Sequence, residues 1–163
     1  MRLHQLHRTT WLPIRVETAF DFFCDPVNLQ KITPPELDFS LRENAPGEMG
    51  EGTEIEYRMR LWGLPIAWKS RIEDWCPDQS FTDTALKSPY RLWHHRHFLV
   101  ADRSGTTMID LVNYALPLWP FGELAHPIVR RQLRRIFDYR EMTIQQLLGI
   151  QIAQGPSSAY QAA

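Results

Sequence analysis

The run Thr53-Glu-Ile-Glu-Tyr-Arg-Met-Arg-Leu-Trp62, followed after Gly63 by Leu64-Pro-Ile-Ala-Trp-Lys-Ser-Arg-Ile-Glu-Asp-Trp75, decides the fold. Successive side chains of a strand point to opposite sheet faces, so period-two alternation separates a wet face from a dry one. Glu54, Glu56, Arg58 and Arg60 fall on one side of the first strand, and Ile55, Tyr57, Met59 and Leu61 on the other. By the same rule Lys69, Arg71 and Glu73 are wet on the second strand, leaving Ile66, Trp68, Ser70 and Ile72 inside. Gly63 and Pro65 supply the turn. The stretch is a half-buried antiparallel hairpin.

Outward from this hairpin the punctuation repeats. Pro46-Gly47, Pro77-Asp78, Ser88-Pro89 and Ser104-Gly105 divide strands expected over Leu37–Arg42, Ser80–Leu86, Tyr90–Val100 and Thr106–Leu116. A further strand is expected over Leu3–Leu12, stopped by Pro13, which has no N–H for a ladder. Glu17–Cys24 has helical spacing. Asp25-Pro26 then restarts the chain as an N-cap with proline at the first helical position, and Thr33-Pro34-Pro35 ends this second short helix. From about Phe121 to Leu148 the residues Phe121, Leu124, Ala125, Ile128, Gln132, Ile136, Phe137, Ile144, Leu147 and Leu148 follow a 3.6-residue period, with Pro127 in an early turn or at a kink. The fold class is α+β: a curved seven-stranded antiparallel sheet, two short helices after its first strand, and a long C-terminal helix across its inner face.

The 163 residues suffice for one domain, expected over 1–150 with a loose tail over 151–163. With 18 basic against 19 acidic residues the chain lacks the basic excess of a general nucleic-acid binder, so no nucleic-acid partner is expected. No apolar run is long enough for a membrane span, and the first twelve residues resemble a strand rather than a signal peptide. The expectation is a cytoplasmic protein without integral membrane association; a homodimer is left open. Cys24 and Cys76 are in no CxxC motif and read as free thiols.

The element order, together with Pro26-Val-Asn-Leu, Thr33-Pro-Pro, Gly52-Thr, Gly63-Leu-Pro-Ile, Pro89-Tyr-Arg-Leu-Trp-His, Gly105-Thr-Thr-Met-Ile-Asp and Ile136-Phe-Asp-Tyr-Arg, resembles bacterial single-domain members of the START-like, or SRPBCC, superfamily. The resemblance covers about residues 3 to 149. It implies the helix-grip fold and a cavity for a hydrophobic ligand between sheet and helix. The branch it resembles carries the labels ligand-binding, cyclase/dehydrase-like and cell-division-inhibitor-like. No catalytic set is shared across that superfamily, so none is transferred.

Chemistry concentrates in Trp93-His-His-Arg-His97, where Trp93, His95 and His97 share one face and His94 and Arg96 the other. Asp110 and Tyr114 alternate together on the next strand, unless a bulge there reverses them. A carboxylate beside imidazoles favours their charged form and orients one as acid or base, so His95, His97 and Asp110 are the candidate catalytic residues. They are equally candidates for ligand contact or for a structural hydrogen-bond network. Histidines at i and i+2 with Asp110 have a spacing that one ion can share, but without HExxH or a second ligand cluster no metal and no cofactor is expected. Tyr57, Trp68, Trp93 and Phe121 offer an aromatic wall, or ordinary core packing. Arg130, Arg131, Arg134, Arg135 and Arg140 give the long helix a cationic side, read first as a solvated face with Glu123, Asp138 and Glu141 as partners and second as a surface attracting anionic lipid or nucleic acid. Arg140 stands near the apolar stripe and is a candidate for pairing with Asp138, a strand acid or a ligand carboxylate.

Three functions are compatible with these residues: binding or transport of a small hydrophobic molecule, aromatic, polyketide-like or lipid; an enzyme of cyclase, dehydratase or isomerase type using His/Asp acid–base chemistry; and a protein-interaction module linked to cell division. The first ranks highest.

Overall fold

The computed structural model describes residues 1–42 and 46–148. Its strands are β1 (His4–Leu12), β2 (Ser40–Leu41), β3 (Glu54–Leu61), β4 (Leu64–Cys76), β5 (Ser80–Lys87), β6 (Leu92–Ala101) and β7 (Thr106–Ala115). Its helices are α1 (Val16–Cys24), α2 (Pro26–Lys31) and α3 (His126–Leu147). The strands form one antiparallel sheet in the order β1-β7-β6-β5-β4-β3-β2. The first strand thus closes beside the last, and α3 crosses the inner face. The tail expected over 151–163 lies outside the described residues.

The deciding hairpin forms, with Gly63 in its turn as read, but Trp62 is the other turn residue and Pro65 lies in β4 opposite Arg60. Leu61 pairs with Leu64, and Trp62 and Gly63 both take positive φ, 51° and 80°. Two left-handed central residues are the twist a two-residue hairpin needs. Of the dry face as read, Ile55, Tyr57, Trp68, Ser70 and Ile72 are buried, while Met59, Leu61 and Ile66, toward the turn, are only partly buried. Asp25 caps α2, its carboxylate accepting the Val27 N–H at 2.9 Å, which satisfies one of the donors that a helix start leaves free. Ala19, Phe20 and Phe23 turn α1 onto the sheet.

Two elements differ from expectation. The strand expected over Leu37–Arg42 is only Ser40–Leu41, preceded by a 3-10 turn at Pro35–Leu37. Pro34 and Pro35 have no N–H to donate, and Asp38, at φ 44°, redirects the chain. The final helix begins at His126, after a 3-10 segment at Phe121–Ala125. Pro127 lies in its first turn, where a missing N–H costs nothing. Ile128 is already within α3, one residue off the buried stripe, so the α-helical phase itself turns it outward. The buried stripe of α3 is Val129, Leu133, Phe137 and Ile144, while Phe121, Leu124 and Ile128 point outward at 78%, 83% and 60% exposure.

Two of the acids expected to balance the arginines of α3 make contacts with other elements. Asp138 pairs with Arg8 of β1, Glu123 accepts from His4 at 2.8 Å, and Arg135 reaches Glu36 at 2.7 Å. These contacts tie the helix to the sheet edge and to the α2–β2 connection. The core beneath is two clusters, one around Phe20, Phe81 and Ile72 and one around Val112, Leu133 and Phe137, bridged by Tyr90 and Trp93.

The β6–β7 hairpin has one position with no room for a side chain. Asp102 accepts from the backbone N–H groups of Ser104 and Gly105 at 2.7 and 2.9 Å, and a Cβ on Gly105 would collide with the Leu12 carbonyl. Gly105→Ala is expected to destabilise the fold by about 1–3 kcal/mol. Gly47→Ala, with open space around its Cβ, should stay within about 0.5 kcal/mol. Urea denaturation of the two variants beside the parent checks the difference.

Candidate functional site

The register of β6 against β7 assembles the site. His97 stands opposite Asp110, and His95 opposite Val112, which places His95 diagonally across from the same carboxylate. Pairing runs from Leu92↔Ala115 to Ala101↔Thr106 without a shift, so no bulge turns Asp110 outward. His95, His97 and Asp110 are 5%, 4% and 4% exposed. His95 Nε2 lies 2.8 Å from Asp110 Oδ1, and because an ionised carboxylate can only accept, the imidazole donates. His97 Nδ1 approaches the same oxygen at 2.9 Å but off the direction a hydrogen bond requires, and has no hydrogen-bond partner. The two imidazoles lie 3.8 Å apart, and His97 stacks on Phe81 at 4.3 Å.

This packing separates the charge states. Burial, reinforced by neighbouring His95, pushes His97 down to about 3, against the pull of Asp110. Burial alone would raise the Asp110 carboxyl. The Arg140 charge and the two imidazoles outweigh it and hold Asp110 well below the usual carboxylate range. The centre is therefore an anion beside a neutral imidazole.

Arg140 comes from α3, in the phase of the apolar stripe. Its guanidinium carbon sits 5.4 Å over the Phe23 ring and 5.8 Å from the centroid of Phe137, and its Nε is buried without a partner. Of the partners expected for Arg140, Asp138 is not one, since side chains two residues apart leave different faces of a helix and Asp138 pairs with Arg8, while the strand acid Asp110 feels the Arg140 charge. Asp83, on β5 opposite His95, has an Oδ1 sealed from solvent and also unpartnered. Burial pushes its carboxyl up, against the effects of Ser70, His95 and Arg140. Ser70 in turn accepts the Trp68 indole N–H at 2.9 Å.

Between the sheet, α1, α2 and α3 these groups enclose a cavity of about 60 Å³. Asp83, His95, His97 and Arg140 line its polar end, and Phe22, Phe23, Leu29, Met49, Ile55 and Ile72 most of the rest. Of the residues singled out in the sequence, the structure brings together His95, His97, Asp110 and Arg140. Tyr57, Trp68 and Trp93 pack on one another instead, with Tyr57 stacked on Trp68 at 5.8 Å and Trp93 edge-on to Trp68 at 5.3 Å. Tyr114 faces inward but has its hydroxyl 3.2 Å from His126 Nε2, away from Asp110. Phe121 is on the surface. Asp83 escaped the sequence reading: it shares the face of Phe81, but Thr82 is buried too, at 1% exposure, and the alternation is blurred there.

The ligand atoms of His95, His97 and Asp110 lie within 4.8 Å of one another and could converge on one ion. The Arg140 charge that already stabilises Asp110 opposes a cation at that place. Cys24 and Cys76 are free, and burial pushes the Cys24 thiol up to about 12, which suppresses its thiolate.

The buried imidazole makes stability depend on pH. The unfolded chain binds a proton at His97 near 6.5 and the folded chain only near 3, so between these values the unfolded state holds more protons. Stability is expected to fall as pH drops from about 6.5 toward 3, by up to about 1.4 kcal/mol per pH unit. Asp110 has the same sign: its low folded value gives a stabilisation lost as pH falls through it. Thermal melts of the parent and His97→Gln across this window should show a shallower dependence in the variant; equal slopes would contradict a buried neutral His97.

No family sequence model matches the chain, and no curated protein matches it in sequence. Its likeness to solved structures is one of shape. A Thermus thermophilus protein superposes with TM-score 0.73 at 15% identity, covering 89% of this chain and 97% of its own. The Zhui aromatase/cyclase from Streptomyces sp. R1128 superposes with TM-score 0.73 at 11% identity, covering 91% and 94%. A START superfamily protein from Mycobacterium smegmatis gives 0.67 at 13% identity, covering 88% and 99%. The likeness is one of fold: this chain's seven antiparallel strands around a long C-terminal helix form a helix-grip fold, and its overall shape is shared with these proteins, one of them described as a START superfamily protein.

Proposed function

We propose that this chain binds a small, partly apolar molecule with an anionic or carbonyl oxygen at one end, in the cavity between sheet and α3. One observation carries the reading: Asp83 Oδ1, His97 Nδ1 and Arg140 Nε, three buried polar atoms without partners, belong to residues lining the same cavity. A buried polar group without a hydrogen bond costs about 1–3 kcal/mol. Three at one void make a set of contacts that a guest can complete. Arg140 matches a carboxylate or enolate oxygen, the Asp83 carboxyl, which burial pushes up, offers a second polar contact, and the phenylalanine and aliphatic walls take the apolar part.

The cavity volume limits the guest. About 60 Å³ is the share of roughly two waters, against about 300–1,000 Å³ for sites that take drug-sized ligands. Any organic guest, from benzoate or isovalerate to a polyketide or lipid, fits only if Phe22, Leu29 and Met49 turn aside; all three are partly exposed, and methionine adapts readily to new neighbours. The aromatase/cyclase likeness supports an acid–base alternative, favoured by the 2.8 Å contact that Asp110, behind the cavity wall, makes with the cavity-lining His95. In that role His95 moves the proton, since His97 is too weak a base near neutral pH.

Native mass spectrometry of freshly purified protein, followed by identification of released molecules, tests retention of a natural guest. Benzoate and isovalerate, titrated by amide NMR, serve as defined probes. They are expected to shift resonances around Phe23, Asp83 and His97. Arg140→Met keeps the stem but removes the charge, and should weaken binding by about tenfold or more. A probe or natural guest bound away from Arg140 and Asp83 would overturn the assignment.

A further inference from the structure

The connection from β7 to α3 turns its apolar side chains outward. Within eleven residues Leu118, Trp119, Phe121, Leu124 and Ile128 are 81%, 58%, 78%, 83% and 60% exposed. Single exposed apolar residues are ordinary, but a contiguous group of this kind marks a surface that meets something apolar. A shallow groove of about 260 Å³ opens beside it, lined by Met1, Arg91, Leu116, Leu118 and Trp119.

The charges around the patch identify the partner. Between Asp110 and Asp138 the sequence contains four arginines and one acid, Glu123. That acid is withdrawn: His4 holds it at 2.8 Å, and its side chain is 18% exposed. Arg91 on the groove and Arg131, one turn beyond Ile128, are both exposed and make no ion pair among the described residues. Net charge over the whole chain is only −1, so the cationic rim is local. A second copy is a poor occupant, because a two-fold contact through this patch would set its arginines against their own images.

We infer that this surface docks the protein on an anionic lipid bilayer, with Trp119, Phe121 and Leu124 entering the interfacial layer and Arg91 and Arg131 meeting lipid phosphates. Tryptophan and phenylalanine beside arginine suit the boundary between acyl chains and headgroups. No described helix is long and apolar enough to cross the bilayer, so the contact is peripheral. It is independent of what the cavity holds.

Co-sedimentation of the full chain with phosphatidylcholine vesicles, and with vesicles of phosphatidylcholine mixed with phosphatidylglycerol, tests the inference. Binding is expected to the mixed vesicles, weakened by salt. Phe121→Ser with Leu124→Ser should lower the partition constant by about tenfold or more. Arg91→Glu and Arg131→Glu should each lower it by roughly fivefold or more, and these exposed sites provide the test should the serine pair disturb folding. Protein remaining in the supernatant with both vesicle types would overturn the inference, as would variants that bind like the parent. Self-association, or capture of an acidic peptide, abolished by the serine pair without vesicle binding would reassign the surface to a protein contact.

Discussion

Asp110 is an ionised carboxylate sealed between a sheet and a helix, at 4% exposure. Removing such a charge from water costs several kcal/mol unless opposite charge and hydrogen bonds replace the lost hydration. The compensation comes from three places at once. β6 must pair in the register that puts His97 opposite and His95 diagonal, α3 must be phased to point Arg140 inward, and β1 must hold that helix down through Arg8 and Asp138. A one-residue slip of β6 would turn both imidazoles to solvent and leave the anion uncompensated. The curvature that lets β1 close on β7 and the placement of α3 thus answer to the same buried charge.

Compensation is incomplete, and its remainder is informative. Arg140 stabilises Asp110 through its charge while its Nε has no acceptor; its cation rests against Phe23 and Phe137. Asp83 is in the complementary condition, an acid raised by burial with one oxygen unoccupied. A protein selecting only for stability could replace such a cluster with well-packed apolar side chains at little loss. The cost of retaining unsatisfied donor and acceptor groups around one void is understandable if a guest completes them.

The sheet was legible because its signal is local. Period-two alternation in Glu54–Leu61 and Leu64–Trp75 separates the faces residue by residue, and Gly63 fixes the turn between them. His95, His97 and Asp110 were legible as an inward set for the same reason. Arg140 was visible as a charge inside an apolar stripe, though its neighbours were not, since the Phe23 ring and the Asp110 charge come to it from elements distant in sequence. Asp83 was missed because Phe81 and Thr82 are both buried and the alternation gives no phase there. The helix start was misplaced because Phe121 and Leu124 carry a helical period through a segment whose turns are 3-10. Aromatic residues at inward positions were right about burial but silent about function: Tyr57, Trp68 and Trp93 fill space against one another, beside the cavity rather than along it.

α3 shows how one helix can carry two unrelated surfaces. Val129, Leu133, Phe137, Arg140 and Ile144 recur at spacings of three, four and seven, and so share the face toward the sheet. Ile128, Arg131 and Arg135, at i, i+3 and i+7, fall on the opposite face. At 3.6 residues per turn the two stripes do not compete for positions, so the inward charge needed by Asp110 and the outward arginines beside the apolar connection can vary separately. Leu124, four residues before Ile128, lies on the line of that outward stripe and is 83% exposed, so the apolar connection runs into the cationic face without a break.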